Sequence, residues 1–149
     1  MKLSKKSSYY VKRLCVVAAL ELILLAGLAP SAFAAANDPL FINLTTDDPH
    51  RSIMAINFGK HHSANGHPLS IFLNDKGVIL GVKAGSEKYA AQQNELMDII
   101  SKGGLVIICP SCLKNAGYTE ADLLPGIKIG SPKLTGDALF KDGTKTMSW

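Results

Sequence analysis

Gly103-Gly104-Leu105-Val106-Ile107-Ile108-Cys109-Pro110-Ser111-Cys112-Leu113-Lys114, residues 103–114, is the stretch from which the rest of the chain is read. Residues 105–108 are short, β-branched and free of polar side chains, the pattern of a strand buried on both faces of a parallel sheet. The run stops at Cys109-Pro110. Proline is preorganised for a first helical position, and Gly117 can supply the left-handed residue that closes such a helix. Cys109 then falls at the N-cap and Cys112 in the first turn. Unpaired backbone N–H groups and the positive end of the helix dipole favour a thiolate there, so the chemistry on offer is that of sulfur.

Working outward, the same alternation recurs. Before the stretch, Leu40-Phe41-Ile42-Asn43-Leu44 reads as a strand, followed by Asp47-Asp48 capping a helix that starts at Pro49 and stops near Asn65-Gly66. Residues 68–73 form a second strand ending in the turn Asn74-Asp75-Lys76-Gly77. Residues 78–82 are apolar but interrupted by glycine and carry no clear class. Ser86 is the expected cap of a helix over residues 87–102. After the stretch, Thr119 to Asp122 has the form of a capping box, and Pro125-Gly126 ends that short helix. Residues 127–129 alternate as a strand, Ser131-Pro132 starts a helix reaching Phe140, and residues 144–149 read as a final edge strand. Strand and helix alternating in this way imply an α/β domain: three layers, α/β/α, around a mainly parallel sheet of about five strands, Rossmann- or flavodoxin-like. Ligands of such sheets collect beyond the carboxyl ends of the strands, where Cys109 lies.

The first 34 residues read as a secretory signal peptide. Lys2, Lys5, Lys6, Lys12 and Arg13 make a basic start, residues 14–29 an apolar middle, and Ala32-Phe33-Ala34 a small-x-small cleavage site, with Ala34-Ala35-Ala36 fitting nearly as well. The apolar run carries Glu21 and falls short of the ~20 residues that span a bilayer, so stable membrane insertion after cleavage is not expected. The expected product, residues 35–149, is one domain in the periplasm or outside the cell. The leader holds five of the 16 Lys+Arg and one of the 12 Asp+Glu, which leaves 11 of each. Without a basic field, nucleic acid is excluded as a partner. Cys15 leaves with the leader, so Cys109 and Cys112 are the only thiols left.

Several chemistries fit a C-x-x-C pair in an exported chain. A structural disulfide is one, although so short a loop gives it little to close. A dithiol oxidoreductase is another, but a thioredoxin arrangement places the motif early, with a hairpin and a cis-proline after it, whereas here two helices come first. A metal site is a third, because His50, His61, His62 and His67 supply imidazoles. No second C-x-x-C is present, however, and the adjacent His61 and His62 diverge by about 100° on a helix. The histidines therefore read as separate surface residues, and no metal ligand or cofactor is assigned; a binding or assembly module whose C-x-x-C is a disulfide or a metal site stays the alternative to sulfur chemistry. No glycine-rich phosphate loop and no hydroxyl-nucleophile motif occurs.

Residues 41–149 resemble the DsrE/DsrF-like sulfur-relay family. The likeness rests on the opening strand into Thr46-Asp47-Asp48-Pro49-His50-Arg51, on Gly66-His67-Pro68-Leu69-Ser70-Ile71-Phe72-Leu73, and on Asp75-Lys76-Gly77-Val78. Its most specific part is Val106-Ile107-Ile108-Cys109 followed by Gly117-Tyr118-Thr119-Glu120-Ala121-Asp122-Leu123-Leu124-Pro125-Gly126-Ile127. The resemblance implies a three-layer α/β/α domain that often self-associates. It also implies a cysteine at Cys109 that carries sulfur as a persulfide between a donor and an acceptor, each a protein or a small thiol. Two features depart from the relay pattern: the export signal, and a second thiol at Cys112, which can attack a persulfide and release sulfide. Cys109 is thus the expected nucleophile and Cys112 the resolving thiol.

Overall fold

The computed structural model describes residues 37–149. The leader, its cleavage sites and Cys15 lie outside the described residues. Five strands form one all-parallel sheet: β1 (Leu40–Leu44), β2 (Leu69–Leu73), β3 (Leu105–Ile108), β4 (Lys128–Ile129) and β5 (Lys145–Ser148), in the order β4-β3-β2-β1-β5. The helices are α1 (Pro49–Ala64), α2 (Ala90–Ser101), α3 (Pro110–Asn115) and α4 (Pro132–Leu139). No helix among the described residues is long and apolar enough to cross a membrane.

Register explains the core. Leu40, Ile42 and Leu44 lie beside Leu69, Ile71 and Leu73, and the last two lie beside Val106 and Ile108, so a ladder of branched side chains lines one face. Ala55 and Ile56 of α1 and Leu96 and Ile99 of α2 belong to the same buried cluster. At about 1.5–3 kcal/mol for each large apolar side chain fully buried, this two-layer contact dominates the stability of the domain. The connection from β4 to β5 runs back across the sheet in the opposite sense. A right-handed crossover therefore puts α4 over the other face, where Phe41 and Ile107 are buried and the rings of Phe41 and Phe72 lie 6.4 Å apart. No residue of α4 is buried, so this third layer is thin, and Phe140 just beyond it is exposed.

Most boundaries match the sequence reading. Asp48 caps α1, its carboxylate accepting from the Arg51 N–H at 2.8 Å. Thr119 and Asp122 make the capping box, which opens a single tight turn over Glu120–Asp122. One stretch left without a class is settled and one expected cap is corrected. Residues 75–85 form two successive tight helical turns, Asp75–Gly81 and Lys83–Gly85. The first of these lies so close to the end of β1 that a Cβ on Gly77 would stand 2.3 Å from the Leu44 carbonyl oxygen. Ser86 does not cap α2, which starts at Ala90 behind Tyr89; the buried Tyr89 ring and the Gln93 amide, donating to the Val82 carbonyl at 2.9 Å, place that start.

Candidate functional site

β3 hands directly over to α3 at Cys109. The Cys109 N–H still donates to the Leu73 carbonyl at 2.9 Å, as a continuing strand would, while its own carbonyl accepts from the Leu113 N–H at 2.9 Å, the first bond of the helix. Cys109 is thus the N-cap (φ −68°, ψ 115°), and its Sγ accepts from the Cys112 backbone N–H at 3.2 Å. The far end of α3 is closed as firmly. Gly117 sits at φ 83°, its N–H donates to Lys114, and the Tyr118 N–H donates to Leu113, which completes a Schellman closure around the buried Leu113 side chain.

Both cysteines are free and half-buried, but their surroundings differ. Burial pushes the Cys112 thiol above its ordinary range; a hydrogen bond with Cys109 adds to this, and a backbone hydrogen bond from Asp75 partly offsets it. Cys112 therefore rests as a neutral thiol beside Cys109. It also lines a cleft of about 460 Å³ over the carboxyl ends of three strands. Asp47 enters from the end of β1, Asp75, Lys76, Val78 and Ile79 from the turn after β2, and Asn115, Ala116 and Tyr118 from α3 and its exit. The Tyr89 hydroxyl donates to the Asp47 carboxylate at 3.4 Å.

Sequence reasoning placed Cys109 and Cys112 together at a strand-to-helix junction, which is where they stand. It did not single out Asp47, Asp75, Asn115 or Tyr118 as lining a site. Asn115 and Ala116 follow Cys112 at helical i+3 and i+4 spacing and share its face, a signal open to reading. Asp75 has a left-handed backbone, φ 48°, which the Asn-Asp-Lys-Gly turn composition permits. The histidines do not gather at the cysteines. None lines the cleft, His50 and His61 are exposed, and among the described residues no three His, Cys, Asp or Glu side chains are grouped to hold a metal.

Known proteins share this architecture. A protein of unknown function from Methanobacterium thermoautotrophicum, MTH1491, superposes with a TM-score of 0.62 at 17% identity, over 76% of this chain and 100% of that one. The YchN protein of E. coli superposes with a TM-score of 0.57 at 17% identity, over 76% and 99%. Two uncharacterised archaeal proteins are similar in sequence. MK0008 of Methanopyrus kandleri is 29% identical over 54% of this chain and 68% of its own, and MJ0989 of Methanocaldococcus jannaschii is 28% identical over 61% and 83%. The family model for DsrE/DsrF-like proteins matches residues 40–142, from the first residue of β1 to just short of β5 and so across the whole cysteine junction; the chain belongs to the DsrE/DsrF-like family.

Proposed function

We propose that this protein is an exported sulfur carrier in which Cys109 takes up sulfur as a persulfide and Cys112 resolves it. The Cys109 thiolate attacks the outer sulfur of a donor persulfide; the new bond joins Cys109 Sγ to that sulfur, and the donor leaves as a thiolate that picks up a proton. An acceptor thiolate can then remove the outer sulfur and restore Cys109. Alternatively, Cys112 loses its proton and attacks the inner sulfur, so the outer sulfur departs as sulfide while the two thiols are oxidised to a disulfide. Family membership supports a sulfur-relay role in general. The observation that carries the finer assignment is the Cys112 N–H aimed at Cys109 Sγ at 3.2 Å, a donor placed for an anionic sulfur. Cys112, held as a thiol beside it, suits the later step. The basic, apolar and small-residue order of the first 34 residues supports export to the periplasm.

Sulfide release tests the assignment. Reduced protein mixed with a small-molecule persulfide is expected to release one sulfide per chain and to end with a Cys109–Cys112 disulfide. Cys112→Ser is expected to release none without an added thiol. Equal sulfide release from Cys112→Ser and the unaltered protein contradicts the resolving role.

A further inference from the structure

A second recess of about 250 Å³ lies at the opposite, amino end of the sheet, around the starts of β1 and β5. It is lined by His62, His67, Met147 and Phe58, with Asp38 and Lys145 at one side. His62 comes from the last turn of α1 and His67 from just before β2. Their rings meet nearly perpendicular, 70° apart, with centroids separated by 5.8 Å. Two imidazoles bonded to one ion at about 2.0–2.1 Å have ring centres roughly 5–6 Å apart, so the observed separation suits a shared ion. The His67 Nδ1 lies 2.8 Å from the Asp38 carbonyl oxygen. A carbonyl only accepts, so Nδ1 is the donor and Nε2 is the nitrogen left for a ligand, the arrangement of a metal-ligating histidine held by an outer-shell carbonyl. The His62 ring is held by Phe58, centroid to centroid 4.4 Å. Met147 pairs in register with Ile42, which puts its thioether on the α1 side of the sheet. The only cation among the described lining residues, Lys145, is paired with the Asp38 carboxylate at 3.2 Å.

We propose that His62, His67 and Met147 form a binding site for a copper(I) ion. Two imidazoles and one thioether make a soft set of three donors without a thiolate. Such a set suits copper(I), whereas structural zinc takes four ligands drawn from thiolate, imidazole and carboxylate. Adjacent His61 is exposed and outside the recess. The site is independent of the cysteine chemistry, but thiols also bind copper(I), so the test uses the full chain carrying Cys15→Ser, Cys109→Ser and Cys112→Ser. Under anaerobic reducing conditions, with a colorimetric copper(I) chelator as competitor, this protein is expected to hold one copper(I) per chain. Binding is expected to quench Trp149, the sole tryptophan, whose ring lies 5.7 Å from Phe58. His67→Ala and Met147→Leu, each added to that background, should each weaken binding by at least about tenfold, the smallest loss seen when even an outer-shell partner of a metal is removed. His61→Ala should change nothing. Met147→Leu conserves volume on an edge strand and keeps the test open if His67→Ala fails to fold. No copper retained against the chelator, retention unchanged by Met147→Leu, or tighter binding of zinc than of copper(I) overturns the proposal.

Discussion

The sulfurs of Cys109 and Cys112 meet different surroundings within one turn of chain: one accepts a backbone N–H, and the other is desolvated beside it with its thiol pushed up. At neutral pH Cys112 is therefore expected to react with iodoacetamide more slowly than Cys109, read by peptide mapping after partial alkylation; equal rates would contradict the asymmetry. The same shift has a consequence for stability. A thiol whose folded-state pKa is raised favours folding below its ordinary range and loses that contribution as pH rises through the raised value. The melting temperature should fall as pH climbs past the usual thiol range, and Cys112→Ser should flatten that fall. Gly77 makes a steric prediction. Its missing side chain leaves room for the Leu44 carbonyl, so Gly77→Ala should destabilise the domain by about 1–3 kcal/mol in urea unfolding, the usual penalty of overpacking, and no change in midpoint would contradict the close approach. Cys109 was legible in the sequence as a cap because Pro110 marks a helix start in any context. Which sulfur lines the cleft was not, because Asp75 and Tyr118 reach it from separate segments.

At the level of elements, α3 is only six residues long and is fixed by its ends and by the buried Leu113 rather than by its length. Gly117→Ala forces a Cβ into left-handed backbone at a cost of about 1–2 kcal/mol. Its expected result is a lowered urea midpoint together with faster amide exchange in α3; an unshifted midpoint would show that the closure contributes nothing. Asp48→Ala removes the cap of α1 and should cost about 1 kcal/mol, leaving α3 exchange unchanged. Strands β1, β2 and β3 and helix α2 were readable because their apolar spacing is local, and α1 because its Asp48-Pro49 start and Asn65-Gly66 stop are. Residues 75–85 were not. Gly77, Gly81 and Gly85 are there for contacts with Leu44, with Leu73, Ile108 and Ile127, and with Ile79, and tertiary approach leaves no periodic signature in the chain.

Across the whole molecule, the fold follows from one sheet with unequal faces. The α1–α2 side carries most of the buried core, and among the described residues the α4 side has a single helix with no buried residue. Alternation of strand and helix made the parallel sheet legible. The order β4-β3-β2-β1-β5 was not, because it depends on the connection through α4 crossing back, and the two-residue β4 offers little pattern of its own. The two recesses lie at opposite ends of this sheet, the cysteine cleft over the carboxyl ends and the histidine recess at the amino ends. The central proposal, that Cys109 carries sulfur, is tested most directly by mass spectrometry of Cys112→Ser after exposure to a small-molecule persulfide. The expected result is one added sulfur atom, located on the peptide bearing Cys109 and absent from Cys109→Ser; a folded Cys112→Ser protein that takes up no sulfur would contradict the account.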